Sequence, residues 1–101
     1  ACDFLLQGGH GVISVTTNIA PKAMTAMIQA ARTGDADTAK KVDATLQPLH
    51  RDLFIESNPI PSKWALLRLG LISSDFARLP LTQLEPIHQS AIEQALHAAH
   101  L

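Results

Sequence analysis

The run Gly11-Val12-Ile13-Ser14-Val15 constrains this chain more than any other feature, because it reads as a strand with nothing to pair with. It is short, β-branched and apolar at nearly every position, the pattern of a strand buried on both faces of a parallel sheet. Such a strand needs hydrogen-bonded neighbours on both sides, since one strand alone cannot satisfy its backbone. No second run of comparable quality follows among the 101 residues. Either the run is not a strand, or its partners lie in residues outside this sequence. The first residue is Ala1 and not Met, which fits a sequence that begins inside a longer chain. The run is therefore expected to show unpaired backbone on both edges.

Its flanks read as helix. Asp3-Phe4-Leu5-Leu6-Gln7 has the look of a helix end stopped by Gly8-Gly9, glycine being favoured where the backbone turns left-handed. Past the polar loop Thr16-Thr17-Asn18, Ala20, Ala23, Met24, Met27, Ile28 and Ala31 recur at three-four spacing and predict an amphipathic helix. Pro21 suits its first turn and Gly34 the position just beyond its end. Helix, glycines, strand, polar loop and helix make an α/β run.

Beyond Gly34 the pattern is purely helical. Asp35 can cap a helix whose apolar positions are Ala39, Val42, Leu46, Leu49 and Leu53, with a kink expected near Pro48. Asn58-Pro59-Ile60-Pro61 breaks that helix and starts another through Lys63, Trp64 and Leu67, ended by Gly70. Thr82 and Glu85 have the spacing of a capping box for a last helix buried through Ile87, Ala91, Ala95 and Ala99. The spacing divides the chain into an α/β part, residues 1–34, and an all-α part, residues 35–101.

Composition excludes several classes of function. Hydrophobic residues make up 47%, enough for one modest core in a chain of this length. The net charge is −1, and eight Lys and Arg residues are scattered from Lys22 to Arg78, so no basic stripe marks a nucleic-acid or anionic-lipid footprint. No apolar run approaches the ~20 residues of a membrane span. Cys2 is the only cysteine, so no intrachain disulfide can form, which favours a reducing, cytoplasmic setting.

The candidate sites reduce to few. Gly8-Gly9-His10-Gly11 lacks the Gly-Lys-Ser/Thr ending of a phosphate loop and precedes the strand, so it reads as a structural turn. Ser14 is no nucleophile elbow, because Val12 and Thr16 stand where glycines would be needed. Residues 13–18 would lie at the strand's C-terminal end, where barrel enzymes bind substrate, and their backbone either meets a ligand or simply closes the packing. His88, His97 and His100 share the last helix without a carboxylate or cysteine at matching spacing, and read as a solvated face with no metal. Lys22, Lys40, Lys41 and Lys63 sit on helices and not on a strand, which leaves no candidate for a Schiff-base lysine.

Taken together, Gly8-Gly9-His10-Gly11-Val12-Ile13-Ser14-Val15-Thr16 and Asn58-Pro59-Ile60-Pro61-Ser62-Lys63-Trp64-Ala65 closely resemble the dihydrodipicolinate synthase family. Leu49-His50, Leu53-Phe54 and Arg78-Leu79-Pro80-Leu81 resemble it as well, so the likeness runs the length of the chain. The resemblance implies the last strand and helix of a (β/α)₈ TIM barrel in residues 1–34, then a C-terminal helical domain in residues 35–101. It implies a lyase of lysine (diaminopimelate) biosynthesis that condenses pyruvate with aspartate semialdehyde through an imine, with no cofactor.

In the family the imine lysine and the proton-relaying tyrosines and threonine lie on upstream strands, and this sequence contains no Tyr. The resemblance thus places no catalytic residue here and predicts an inactive segment when alone. It gives Ile13 a backbone contact to pyruvate and puts Asn58 near the mouth of the active site. It also implies a homotetramer in which Phe4-Leu5-Leu6-Gln7 serves dimer–dimer packing. Two rivals differ: a sister imine lyase such as N-acetylneuraminate lyase, against which the residues Gly11 to Thr16 argue, and a free-standing helical interaction module.

Helical spacing further predicts that Leu46, Leu49, Leu53, Trp64 and Leu67 share one core beneath the Asn58 turn. Trp64→Ala should then cost about 3–5 kcal/mol of stability, read from the midpoint of urea unfolding.

Overall fold

Gly34 and Asp35 end one helix and begin the next, and the architecture turns on them. The computed structural model describes residues 1–101. Five α-helices follow in order: α1 (Cys2–Leu6), α2 (Pro21–Arg32), α3 (Ala36–Asp52), α4 (Ile60–Arg68) and α5 (Pro86–Ala98), with a 3-10 turn at Thr16–Asn18. Gly34 sits at φ +84°, a left-handed backbone that costs most residues strain. That geometry lets the Gly34 N–H donate to the Ala31 carbonyl at 3.3 Å and the Asp35 N–H to Ala30 at 2.9 Å, the paired bonds of a Schellman ending. The Asp35 carboxylate then accepts from the Thr38 N–H at 3.2 Å and caps α3, as its position in the sequence predicts. The Thr38 hydrogen bond also holds the Asp35 carboxyl below its ordinary pKa.

This turn folds α3 back onto α2, and α5 and α1 pack against α3 as well. Met24 and Met27 of α2, Leu46 and Leu49 of α3, Leu53 just beyond it, and Ile92 of α5 are all but inaccessible to solvent. Ala39 and Ala31 let the helix backbones approach closely at the α2–α3 end. Trp64 joins the same core at 9% exposure, and so do Ile60 and Ala65. α4 and α5 are further tied at the surface by Arg68 and Glu93, a pair of little energetic weight in water.

The expected buried stripe of α3 holds, and the helix continues through Pro48 to Asp52. Residues 10–14 make no backbone–backbone hydrogen bond, so the run forms no sheet within this chain and its backbone is unpaired on both edges, as expected. Three expectations need correction. Val15 leaves the run altogether, because it takes helical dihedrals (φ −65°, ψ −41°) and opens the 3-10 turn, its carbonyl accepting the Asn18 N–H at 3.0 Å.

The other two corrections lie near the C-terminal end. Thr82 and Glu85 form no capping box. The helix starts at Pro86 with Glu85 as N-cap and no side-chain cap, since proline supplies a preset first residue. Ile87, in the first turn, is exposed, and the buried face is Ile92, Ala95, Leu96 and Ala99. Leu67 is only half buried, and Leu66 and Leu69, one residue before it and two after, lean on the core in its place.

The same pair of bonds ends α5, where the left-handed residue is His100 at φ 61°. Position 34 has open space around a Cβ, so the backbone alone decides the effect of a substitution there. Gly34→Ala should cost about 1–2 kcal/mol and His100→Gly should gain about 0.5–1 kcal/mol. Opposite shifts of the urea midpoint would check both at once.

Candidate functional site

Residues 11–16 cross the end of α3 and leave beside it an open groove of about 620 Å³. Its apolar walls include Phe4, Val12, Val15 and Phe54, with Ile13 on the rim, its side chain fully exposed. The Phe4 ring lies against Gly9, at a place where a Cβ on residue 9 would collide with it. Phe4 and Phe54 are both more than half exposed, an unusual state for two aromatic side chains lining one groove.

The polar floor of the groove was not legible as a site in the sequence. Thr16 is buried, and its hydroxyl meets His50 Nδ1 at 2.8 Å. His50 Nε2 lies 3.3 Å from Asp43 Oδ1, and the other oxygen of Asp43 accepts the Gln47 amide at 2.7 Å. An ionised carboxylate only accepts, so Nε2 carries the proton and Nδ1 receives the Thr16 O–H. Asp43, Gln47 and His50 fall at i, i+4 and i+7 of α3, a polar stripe beside the buried one. That spacing was the available signal, masked because each of the three residue types is ordinary on a helix surface.

Asn58 sits apart from this groove and does not line it. It is exposed on the turn that leads into α4. Glu56, two residues before it, fastens the turn to the start of α5. Its Oε2 accepts the Glu85 N–H at 3.0 Å and meets His88 Nδ1 at 2.6 Å. Burial pushes the Glu56 carboxyl up, but the bonds from His88 and Glu85 together outweigh it and hold the pKa below the ordinary value. Just beyond, the Ser62 hydroxyl is buried without a partner.

The remaining candidates disperse. His88 is taken by Glu56, His97 lines a small cleft beside Arg68 and Glu93, and His100 ends α5. No three His, Cys, Asp or Glu side chains gather as metal ligands. Cys2 is buried, and burial, with Asp43 and Asp3 nearby, pushes its thiol above the ordinary value, which removes it as a nucleophile. Lys22, Lys40 and Lys41 are exposed, and the half-exposed Lys63 donates to the Phe76 carbonyl at 2.9 Å. No helix is long and apolar enough to cross a membrane.

The dihydrodipicolinate synthetase family model matches residues 1–99. The 4-hydroxy-tetrahydrodipicolinate synthase of Psychromonas ingrahamii is 58% identical across 99% of this chain, a match that takes in 34% of its own length. That of Alcanivorax borkumensis is 54% identical across the whole chain and again 34% of the relative. The chain thus spans about a third of the length of the curated relatives it matches. Among solved structures, the chloride-inhibited dihydrodipicolinate synthase of Acinetobacter baumannii complexed with pyruvate superimposes with a TM-score of 0.92. Identity to it is 45%, over 99% of this chain and 34% of that one. The Aquifex aeolicus dihydrodipicolinate synthase gives 0.90 at 36% identity, with the same coverage.

The Glu56 fastening should give an acid-side signature. Because the folded carboxyl titrates below the ordinary 4.5, its contribution to stability is complete above that pH and is lost as pH falls through the folded value. Wild type should therefore exceed Glu56→Gln in urea midpoint at pH 7, and the gap should close on titration towards pH ~3.

Proposed function

The chain belongs to the dihydrodipicolinate synthetase family, and on that footing we propose that it is the C-terminal third of a pyruvate-dependent lyase. Residues 1–34 would supply the last strand and helix of a (β/α)₈ barrel, and residues 35–101 the helical domain that follows. The full enzyme condenses pyruvate with aspartate semialdehyde in lysine (diaminopimelate) biosynthesis, in the cytoplasm. The observation that carries this reading is the backbone of residues 10–14, which bonds to nothing within the chain while lying beside an apolar groove. Unpaired N–H and C=O groups on a β-branched run are what a barrel strand presents to its neighbours.

In this reading Ile13 stands at the strand's C-terminal end, and its backbone contacts pyruvate. The pyruvate complex of the Acinetobacter baumannii relative supports that substrate. Asn58, on its exposed turn, lies near the mouth of the site, where the aldehyde enters. Phe4 and Gln7, exposed on and just after α1 while Leu5 points into the core, offer the face for tetramer packing.

The covalent step belongs elsewhere in the enzyme. An imine lysine must be partly deprotonated near neutral pH, which needs an apolar or cation-flanked site, and no lysine here is buried in one. Proton relay through tyrosine is absent as well, since the sequence has none. What this segment contributes is shape: one wall of the pyruvate pocket and the platform beneath it.

Pyruvate and borohydride, followed by intact-mass measurement, test the division of labour. The 101-residue chain alone should gain no reduced adduct, whereas the full-length enzyme should gain one, mapped to a lysine outside these residues. An adduct on Lys22, Lys40, Lys41 or Lys63 would overturn the reading.

A further inference from the structure

Strands outside these residues would pair residues 10–14 in the proposed barrel, and within this chain the turn that follows Ile13 is what ties the run to the helical domain. Only one hydrogen bond joins the stretch from Gly9 to the end of the 3-10 turn to a distant element, and it is Thr16 Oγ1 to His50 Nδ1 at 2.8 Å, spanning 34 positions of sequence. The other bonds of this stretch are local: Gly9 donates to Phe4, Val15 accepts from Asn18, and Thr16 accepts from Ile19 and Ala20. Thr16 is 2% exposed, and burying a hydroxyl is costly unless it is paired. Its partner is in turn held by Asp43, and Asp43 by Gln47.

We propose that Asp43, His50 and Thr16 form a positioning relay that sets the height and direction of the pyruvate-contacting backbone at Ile13. The proposal deepens the functional reading above and rests on it. Asp43 fixes the tautomer, which leaves Nδ1 a lone pair aimed at the groove floor. Nδ1 then takes the Thr16 proton and pins the residue three places after Ile13. Because α3 is seated in the core through Ala39, Leu46 and Leu49, the relay ties the C-terminal end of the run to a well-packed helix. None of the three residues is catalytic. They act through the placement of a main-chain contact, and displacement by even a fraction of a hydrogen-bond length weakens such a contact.

Hydroxyl, imidazole and carboxylate in a row also describe an activated nucleophile, but here the Thr16 hydroxyl belongs to a residue sealed from solvent. Thr16 holds rather than attacks.

The test uses the full-length enzyme carrying these residues. Thr16→Val keeps the shape and removes the hydroxyl. It should raise the KM for pyruvate about five- to tenfold, the worth of one buried hydrogen bond, and leave kcat within about twofold. Thr16→Ser, which restores the donor, should return the KM to within about twofold of wild type. Asp43→Ala, at a residue behind His50 that does not itself line the groove, should raise it in the same direction by less, because the Thr16–His50 bond survives with a freer ring. A wild-type KM in both Thr16→Val and Asp43→Ala would overturn the relay, and so would equal losses in Thr16→Val and Thr16→Ser. If Thr16→Val does not fold, Asp43→Ala alone decides. Borohydride trapping of wild type separates the two levels: no pyruvate adduct sinks the functional reading and the relay with it, whereas an adduct with unmoved variants sinks the relay alone.

Discussion

The apolar stripe along α3 is the interaction on which the rest of the structure depends. Ala39, Leu46, Leu49 and Leu53 are wholly buried, and α1, α2, α5 and the 3-10 turn all pack on the same helix. Helices of this length gain most of their stability from such packing and not from propensity. The stripe therefore orders the chain and also fixes the phase of everything else α3 carries. Asp43, Gln47 and His50 are placed because their apolar neighbours are placed. A polar relay on a helix is only as fixed as the helix's seat.

Much of this was legible in the sequence, for identifiable reasons. Three-four spacing located α2 and α3, and Gly34 with Asp35 marked the turn between them, because a left-handed residue and a carboxylate cap are local demands that local residue types meet. Phase and reach were harder. Pro86 started α5 later than Thr82 and Glu85 suggested, and Ile87 in its first turn stays exposed. Leu67 lost its expected place to Leu66 and Leu69, since leucines at 66, 67 and 69 spread around the end of a short helix and define no clear apolar face until a partner chooses one. The Thr16–His50 bond spans 34 positions and obeys no periodicity, so only the folded chain brings the two together.

The segment from His10 to Ser14 joins these two lessons. Its composition announces a strand, and its surroundings give it nothing to bond, so residue pattern and local structure disagree. In the family reading the disagreement resolves once neighbouring strands are supplied. Ile13 and Asn58 then take their roles from what would stand opposite them, which a helical platform cannot itself provide.

The contact between Phe4 and Gly9 has a consequence for how this groove can vary. Gly9 does not line the groove, yet the missing methyl at that position is the space its aromatic wall occupies. Any larger residue there would turn the Phe4 ring out of its seat and remould the groove from behind, with every lining residue unchanged. The shape that a ligand meets is thus controlled partly from outside the surface that touches it, and a comparison limited to contact residues would overlook the position that governs it.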